Sequence, residues 1–163
     1  MDYNRFIKML SIDSTSSQER ELAEFLAKEL VTPQSSVEIM EVGDGTLNLL
    51  FSWGDPQIVF CTHLDTVPPY IAPQFDGETF RGRGTCDAKG QIWSLYQACL
   101  VLEQRGYSNF GLLLLAGEET GSFGAKHFAK THAGAKYLLV GEPTDNAMVS
   151  AAKGTKAFQI DIT

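Results

Sequence analysis

Positive charge and cysteine are both scarce in this sequence. Among 163 residues, 13 Lys and Arg stand against 20 Asp and Glu, a net charge of −7. Nucleic acids and anionic membranes are held by clustered basic side chains, so neither is expected as a partner. The acid excess reads mainly as a solvated surface, with a smaller share left for carboxylates gathered around a cation. The three cysteines, Cys61, Cys86 and Cys99, are odd in number and lack CxxC spacing, which argues against a disulfide framework. Cys61 and Cys99 fall in apolar runs and read as small core residues. No apolar run approaches the roughly 18 residues that cross a bilayer. The opening MDYNRFIKMLSI carries an early acid, Asp2, and no apolar stretch of the kind a signal peptide has, so the cytoplasm is the expected compartment. GxSxG, GxGxxG and Walker-type loops are missing too, which leaves metal-activated water as the economical chemistry.

What is present is an ordinary globular composition, 44 % apolar, in a chain long enough for one domain with a real core. Ser16-x-x-Glu19 has the form of a capping box, opening a helix whose Leu22, Phe25, Leu26 and Leu30 share one face, and Pro33 closes it. Residues 37–42 alternate as an exposed strand, and Asp44-Gly45 is a hairpin turn into a second strand at 46–53. Residues 58–61, 112–115 and 137–140 are continuous apolar runs, the mark of strands buried on both faces. Between them the pattern predicts helices over 89–105, ended by Gly106, and near 123–130. Strands alternating with helices predict an α/β fold with a mostly parallel central sheet flanked by helices. Residues 157–162 alternate apolar and polar and read as a strand of a different element.

Each apolar run ends in residues with metal-binding chemistry. His63 and Asp65 follow the first, and in an extended segment residues two apart point the same way. A neutral imidazole is a good zinc ligand and a nearby carboxylate fixes its tautomer, although His-x-Asp at a strand end is also met as a plain polar pair. Gly82-Arg83-Gly84-Thr85-Cys86-Asp87-Ala88-Lys89-Gly90 is a glycine-rich turn that delivers Asp87 to the start of a helix, as a ligand or as its N-cap. Gly117-Glu118-Glu119-Thr120-Gly121 places two adjacent acids after the second run. Adjacent side chains diverge, so one can hold a metal while the other faces the substrate as general base. The third run ends in Gly141-Glu142-Pro143-Thr144. Ligands collect at the carboxyl ends of strands in open α/β sheets, and one His with several carboxylates suits two Zn²⁺ ions, with Co²⁺ or Mn²⁺ as substitutes.

In order and approximate spacing, Thr62-His63-Leu64-Asp65-Thr66-Val67-Pro68 and the three blocks just quoted resemble the acetylornithine deacetylase and succinyl-diaminopimelate desuccinylase family of co-catalytic zinc amidohydrolases. Glutamate carboxypeptidases, aminoacylases and dipeptidases are relatives of that family, and the resemblance covers essentially the whole chain. It implies that Asp87 bridges two metals, that His63 and Glu142 complete one ion's ligands, and that Glu119 binds the other. It further implies Glu118 as general base, Asp65 as the group that orients His63, and a cis peptide at Asp87-Ala88.

The same resemblance implies a further His far towards the C-terminus, an inserted lid or dimerisation domain, and a homodimer. Residues 1–154 are then the N-terminal portion of the catalytic metal-binding domain, and 155–163 the first strand of the lid, cut short. His127 and His132 are expected to face solvent. The implied reaction is hydrolysis of a small-molecule N-acyl amino acid, N-acetylornithine being the type. A dipeptidase or aminopeptidase with the same site, and an inactive metal-binding fragment, are the alternatives.

Overall fold

The computed structural model of the chain describes residues 3–43 and 45–151. It begins with α1 (Tyr3–Ser11), which buries Phe6, Met9 and Leu10 at helical spacing, and α2 (Arg20–Glu29), which buries Leu22, Ala23, Leu26 and Ala27. A hairpin of β1 (Ser36–Gly43) and β2 (Thr46–Trp53) leads into β3 (Ile58–His63). A two-rung hairpin, β4 (Gln74–Phe75) and β5 (Phe80–Arg81), precedes α3 (Lys89–Gln104). Then come β6 (Phe110–Leu115), α4 (Phe123–Thr131) and β7 (Tyr137–Val140).

The five-stranded sheet has the order β1-β2-β6-β3-β7. β3 is parallel to both β6 and β7, β2 is antiparallel to β6, and β1 is antiparallel to β2. Four strands therefore point one way and β2 alone runs against them, so the α/β fold with a mostly parallel sheet is the fold found. Central β6 is buried along its whole length. Its Leu112 and Leu114 face the core built by α1, α2 and α3, while Leu113 and Leu115 face a smaller core shared with Val59, Cys61 and α4. Burying each such leucine contributes about 1.5–3 kcal/mol. Cys61 and Cys99 are buried free thiols, pushed up to about 12 by burial, and Cys86 is free and exposed. Among the described residues no helix is long and apolar enough to cross a membrane.

Three expectations need correction or extension. The capping box does not form: α2 starts at Arg20, Glu19 makes no side-chain cap bond, and the Ser16 hydroxyl donates instead to Asp65 Oδ2 at 2.9 Å. Tyr137–Val140 is a strand but not a buried one. It stands at the sheet edge, paired with β3, and its four residues are 50–59 % exposed. α1 and the β4–β5 hairpin were not anticipated at all. Asp44 and the alternating stretch 157–162 lie outside the described residues, and so does the boundary expected at 154.

Candidate metal centre

Because β3, β6 and β7 run parallel, the residues that follow them emerge at one edge of the sheet. His63 ends β3, Glu118 and Glu119 stand three and four residues past the end of β6, and Glu142 is two past β7. Asp87 reaches the same edge from the turn before α3. In that turn the Asp87-Ala88 peptide is cis, the bond expected from the resemblance, and a second cis peptide, Pro68-Pro69, lies in the segment after β3. The N-cap of α3 is Ala88, with no side-chain cap bond, so Asp87 is not spent on capping.

His63 is 2 % exposed and orders the cluster. Its Nδ1 lies 2.9 Å from the Asp65 carbonyl oxygen and 3.4 Å from Asp65 Oδ1, so the ring donates its Nδ1–H backwards. Nε2 then faces forward, 3.0 Å from Asp87 Oδ1 and 3.8 Å from Glu142 Oε1, where its proton is donated to Asp87 and its lone pair becomes available to a cation once that proton leaves. Ligand atoms of His63, Asp87 and Glu142 all lie within 4.8 Å of one another, and so do those of His63, Glu118 and Glu119. Ligands at about 2.0–2.2 Å from one zinc ion stand that close with small side-chain movements.

Electrostatics favour a cation here. Burial pushes the His63 imidazolium down, but Asp65, Glu142 and Asp87 outweigh it and hold the ring up at about 9. Glu119 is raised by burial and then by the Asp87 charge, against the pull of His63. Glu142 is likewise raised by burial, with His63 opposing and Asp87, Glu118 and Glu119 adding to the rise. Among the described residues the ion pairs of Asp87 and Glu142 run to His63, and Lys89 Nζ turns away to the Ile12 carbonyl at 2.5 Å. One imidazole among four carboxylates is a set that a divalent ion would neutralise, so the residues present fit the metal that the sequence implies.

Asp65 does not join either group of donors. It lies behind His63 with no exposure, and its oxygens accept the N–H groups of Glu118 (2.9 Å) and Glu119 (3.1 Å) and the Ser16 hydroxyl. Burial raises its carboxyl, yet His63 and these donors outweigh that and leave it lowered. His127 and His132 belong to neither group. Both are half-buried rather than solvent-facing: His132 stacks on Phe128 at 4.5 Å and lies 3.2 Å from Glu38 Oε1.

Two buried residues of this region escaped the sequence reading. Glu19 has no exposure, accepts the Gly117 N–H at 3.1 Å, and its carboxyl is raised, chiefly by burial. Lys89 is 1 % exposed and lowered to about 8 by burial. Its place in a motif with Asp87 is the only signal that could have marked it.

The model of Peptidase family M20/M25/M40 matches residues 59–159. Among curated proteins, a probable carboxypeptidase of Aspergillus clavatus is 32 % identical over 95 % of this chain and 42 % of its own length. A LysW-lysine/LysW-ornithine hydrolase of Saccharolobus islandicus is 31 % identical over 96 % of this chain and 43 % of its own. The chain thus spans well under half the length of these relatives. Among solved structures, aminopeptidase PepT from Bacillus cereus superposes with a TM-score of 0.72 at 26 % identity, covering 85 % of this chain and 42 % of that one. An M20 metallo-carboxypeptidase from Sulfolobus solfataricus, at 20 % identity and a TM-score of 0.67, shares the fold over 86 % of this chain and 37 % of its own.

Proposed function

The chain belongs to peptidase family M20/M25/M40, and on that premise we propose that it carries the metal-binding half of an amidohydrolase acting on an N-acyl amino acid, of the acetylornithine deacetylase type. The observation behind this reading is the convergence of His63, Asp87, Glu118, Glu119 and Glu142 at one sheet edge. In the proposal Asp87 bridges two ions, His63 and Glu142 complete one, and Glu119 serves the other. Zinc, with Co²⁺ or Mn²⁺ as substitutes, would supply Lewis acidity to the scissile carbonyl and to attacking water.

The rest of the work falls to this chain's own groups. Glu118 takes the water's proton on its carboxylate and returns it to the leaving amine. Asp65 holds the His63 tautomer that presents Nε2, and holds the amides of Glu118 and Glu119. A homodimer, a cytoplasmic location and a lid beginning at 155 belong to the same proposal.

A dipeptidase or aminopeptidase reading has comparable support, since relatives and neighbours include a probable carboxypeptidase and an aminopeptidase. Both readings break an amide bond with the same groups and differ in what flanks the bond. The test is turnover of the metal-loaded complete protein on N-acetylornithine, other N-acyl amino acids and dipeptides. Preference for the acyl amino acids supports the proposal. Preference for dipeptides with a free amine replaces it with the second reading, and zinc-independent turnover removes both.

A further inference from the structure

Four consecutive backbone amides leave the end of β6, and each is taken by a buried side-chain oxygen from elsewhere in the chain. Ala116 N–H donates to Asn48 Oδ1 at 2.9 Å and Gly117 N–H to Glu19 Oε1 at 3.1 Å. Glu118 N–H and Glu119 N–H donate to Asp65 Oδ1 and Oδ2. The acceptors come from β2, from the residue before α2 and from the segment after β3, and all three are fully buried. Gly117 is held from a second side: its φ is +62°, and the Phe123 ring fills the space a Cβ would need. The turn carrying Glu118 and Glu119 is therefore fixed from outside, amide by amide.

Glu19 is the member with the weakest case for a role in folding alone. Burying a carboxyl is costly, and the backbone amides of Glu19 itself, Ser17 and Gly117 together still leave it raised, while Oε2 meets no hydrogen-bond partner among the described residues. An apolar side chain of the same length would pack the start of α2 without that cost. What Glu19 adds is direction, because it fixes the last amide before the two glutamates diverge.

We propose that Glu19 is a positioning residue of the metal centre, which sets the departure of the Glu118 and Glu119 side chains by holding the Gly117 amide. The inference rests on the roles of Glu118 and Glu119 proposed above. Its test compares the 163-residue chain with Glu19→Met, which keeps the length and loses the acceptor, and Glu19→Gln, which keeps a carbonyl oxygen for the amide. Hydrogen exchange of the Gly117, Glu118 and Glu119 amides is read in the metal-free chains, and zinc affinity by competition with a chelator.

In Glu19→Met those three amides are expected to exchange about tenfold faster. Exchange at Leu112, Leu113 and Leu114 should not change, and zinc affinity should fall about tenfold, the lower range for groups that hold metal ligands in place. Glu19→Gln is expected to restore both. Unchanged exchange at 117–119 in Glu19→Met overturns the inference, and so does a Glu19→Gln that behaves like Glu19→Met. If Glu19→Met fails to fold, the Gln variant decides alone: wild-type exchange and affinity uphold the inference, and a tenfold loss of both overturns it. Glu119→Gln is run beside them as a separate control. Should it leave zinc affinity unchanged, the metal role of Glu119 fails, while the exchange data still report on Glu19.

Discussion

Asp65 holds the backbone of Glu118 rather than its side chain: Oδ1 accepts the Glu118 N–H at 2.9 Å, across a separation of 53 residues. One buried carboxylate thereby ties the imidazole at the end of β3 to the acidic pair after β6. The Asp65→Asn variant is expected to cost about 1–3 kcal/mol, because a carboxamide N–H then faces a backbone N–H in a site closed to water. Zinc affinity should fall about 10–100-fold, since the group that orients His63 is weakened. Urea unfolding of the metal-free chain and zinc titration of the folded one check the two effects separately. Wild-type values in both would mean that Asp65 orients nothing.

Glu118→Gln and Glu119→Gln are expected to fail in different ways. In the complete protein Glu118→Gln should keep its zinc and lose about 10²–10⁴-fold in kcat, the range for a general acid–base group. Glu119→Gln should lose metal first. Metal analysis beside turnover separates the roles. Zinc lost from Glu118→Gln would assign the two glutamates the other way round, a live outcome because both stand in one donor group with His63.

The acidic blocks were legible because they repeat one device, an apolar run that stops in a carboxylate or a histidine, and parallel strands put such stops at one edge. What escaped the sequence was decided by contacts remote along the chain. Ser16 and Glu19 satisfy the spacing of a local capping box, yet Asp65, 49 residues from Ser16, and Gly117, 98 from Glu19, compete for them and win. Lys89 looks like an ordinary first helical residue until its ammonium reaches the Ile12 carbonyl 77 residues back. β7 has the composition of a buried strand, but burial depends on what covers it, and that is not written in residues 137–140.

The charge pattern at the cluster sets a pH dependence. In the metal-free chain His63 is raised from 6.5 to about 9, so its contribution to stability is full below 6.5 and is lost as pH rises through about 9. Asp65 is lowered from 3.8, so its contribution is present above 3.8 and is lost as pH falls below it. These two groups together favour the metal-free fold most between about 4 and 6.5. Zinc must displace the His63 proton, so its apparent affinity should rise roughly tenfold per pH unit up to about 9, with about one proton released per ion near neutrality. Calorimetry in buffers of different ionisation enthalpy measures that release. An affinity independent of pH across this range would show that zinc does not bind through Nε2.

The chain by itself is expected to hold one zinc ion tightly and to show little hydrolysis. His63, Asp87 and Glu142 offer three protein ligands to one ion, a set of the catalytic kind with room for water. The second ion has only Glu119 and the bridging Asp87 that it shares with the first, because His63 Nε2 cannot serve both ions at once. Neither remaining histidine is placed to help: His132 is engaged with Phe128 and Glu38, and neither it nor His127 joins a donor group among the described residues. Zinc stoichiometry by elemental analysis, with turnover of N-acetylornithine on the same sample, decides the matter. Two tightly held ions and a kcat of about 1–10³ s⁻¹ would show that the second ion draws its missing donor from this chain or from a second copy of it.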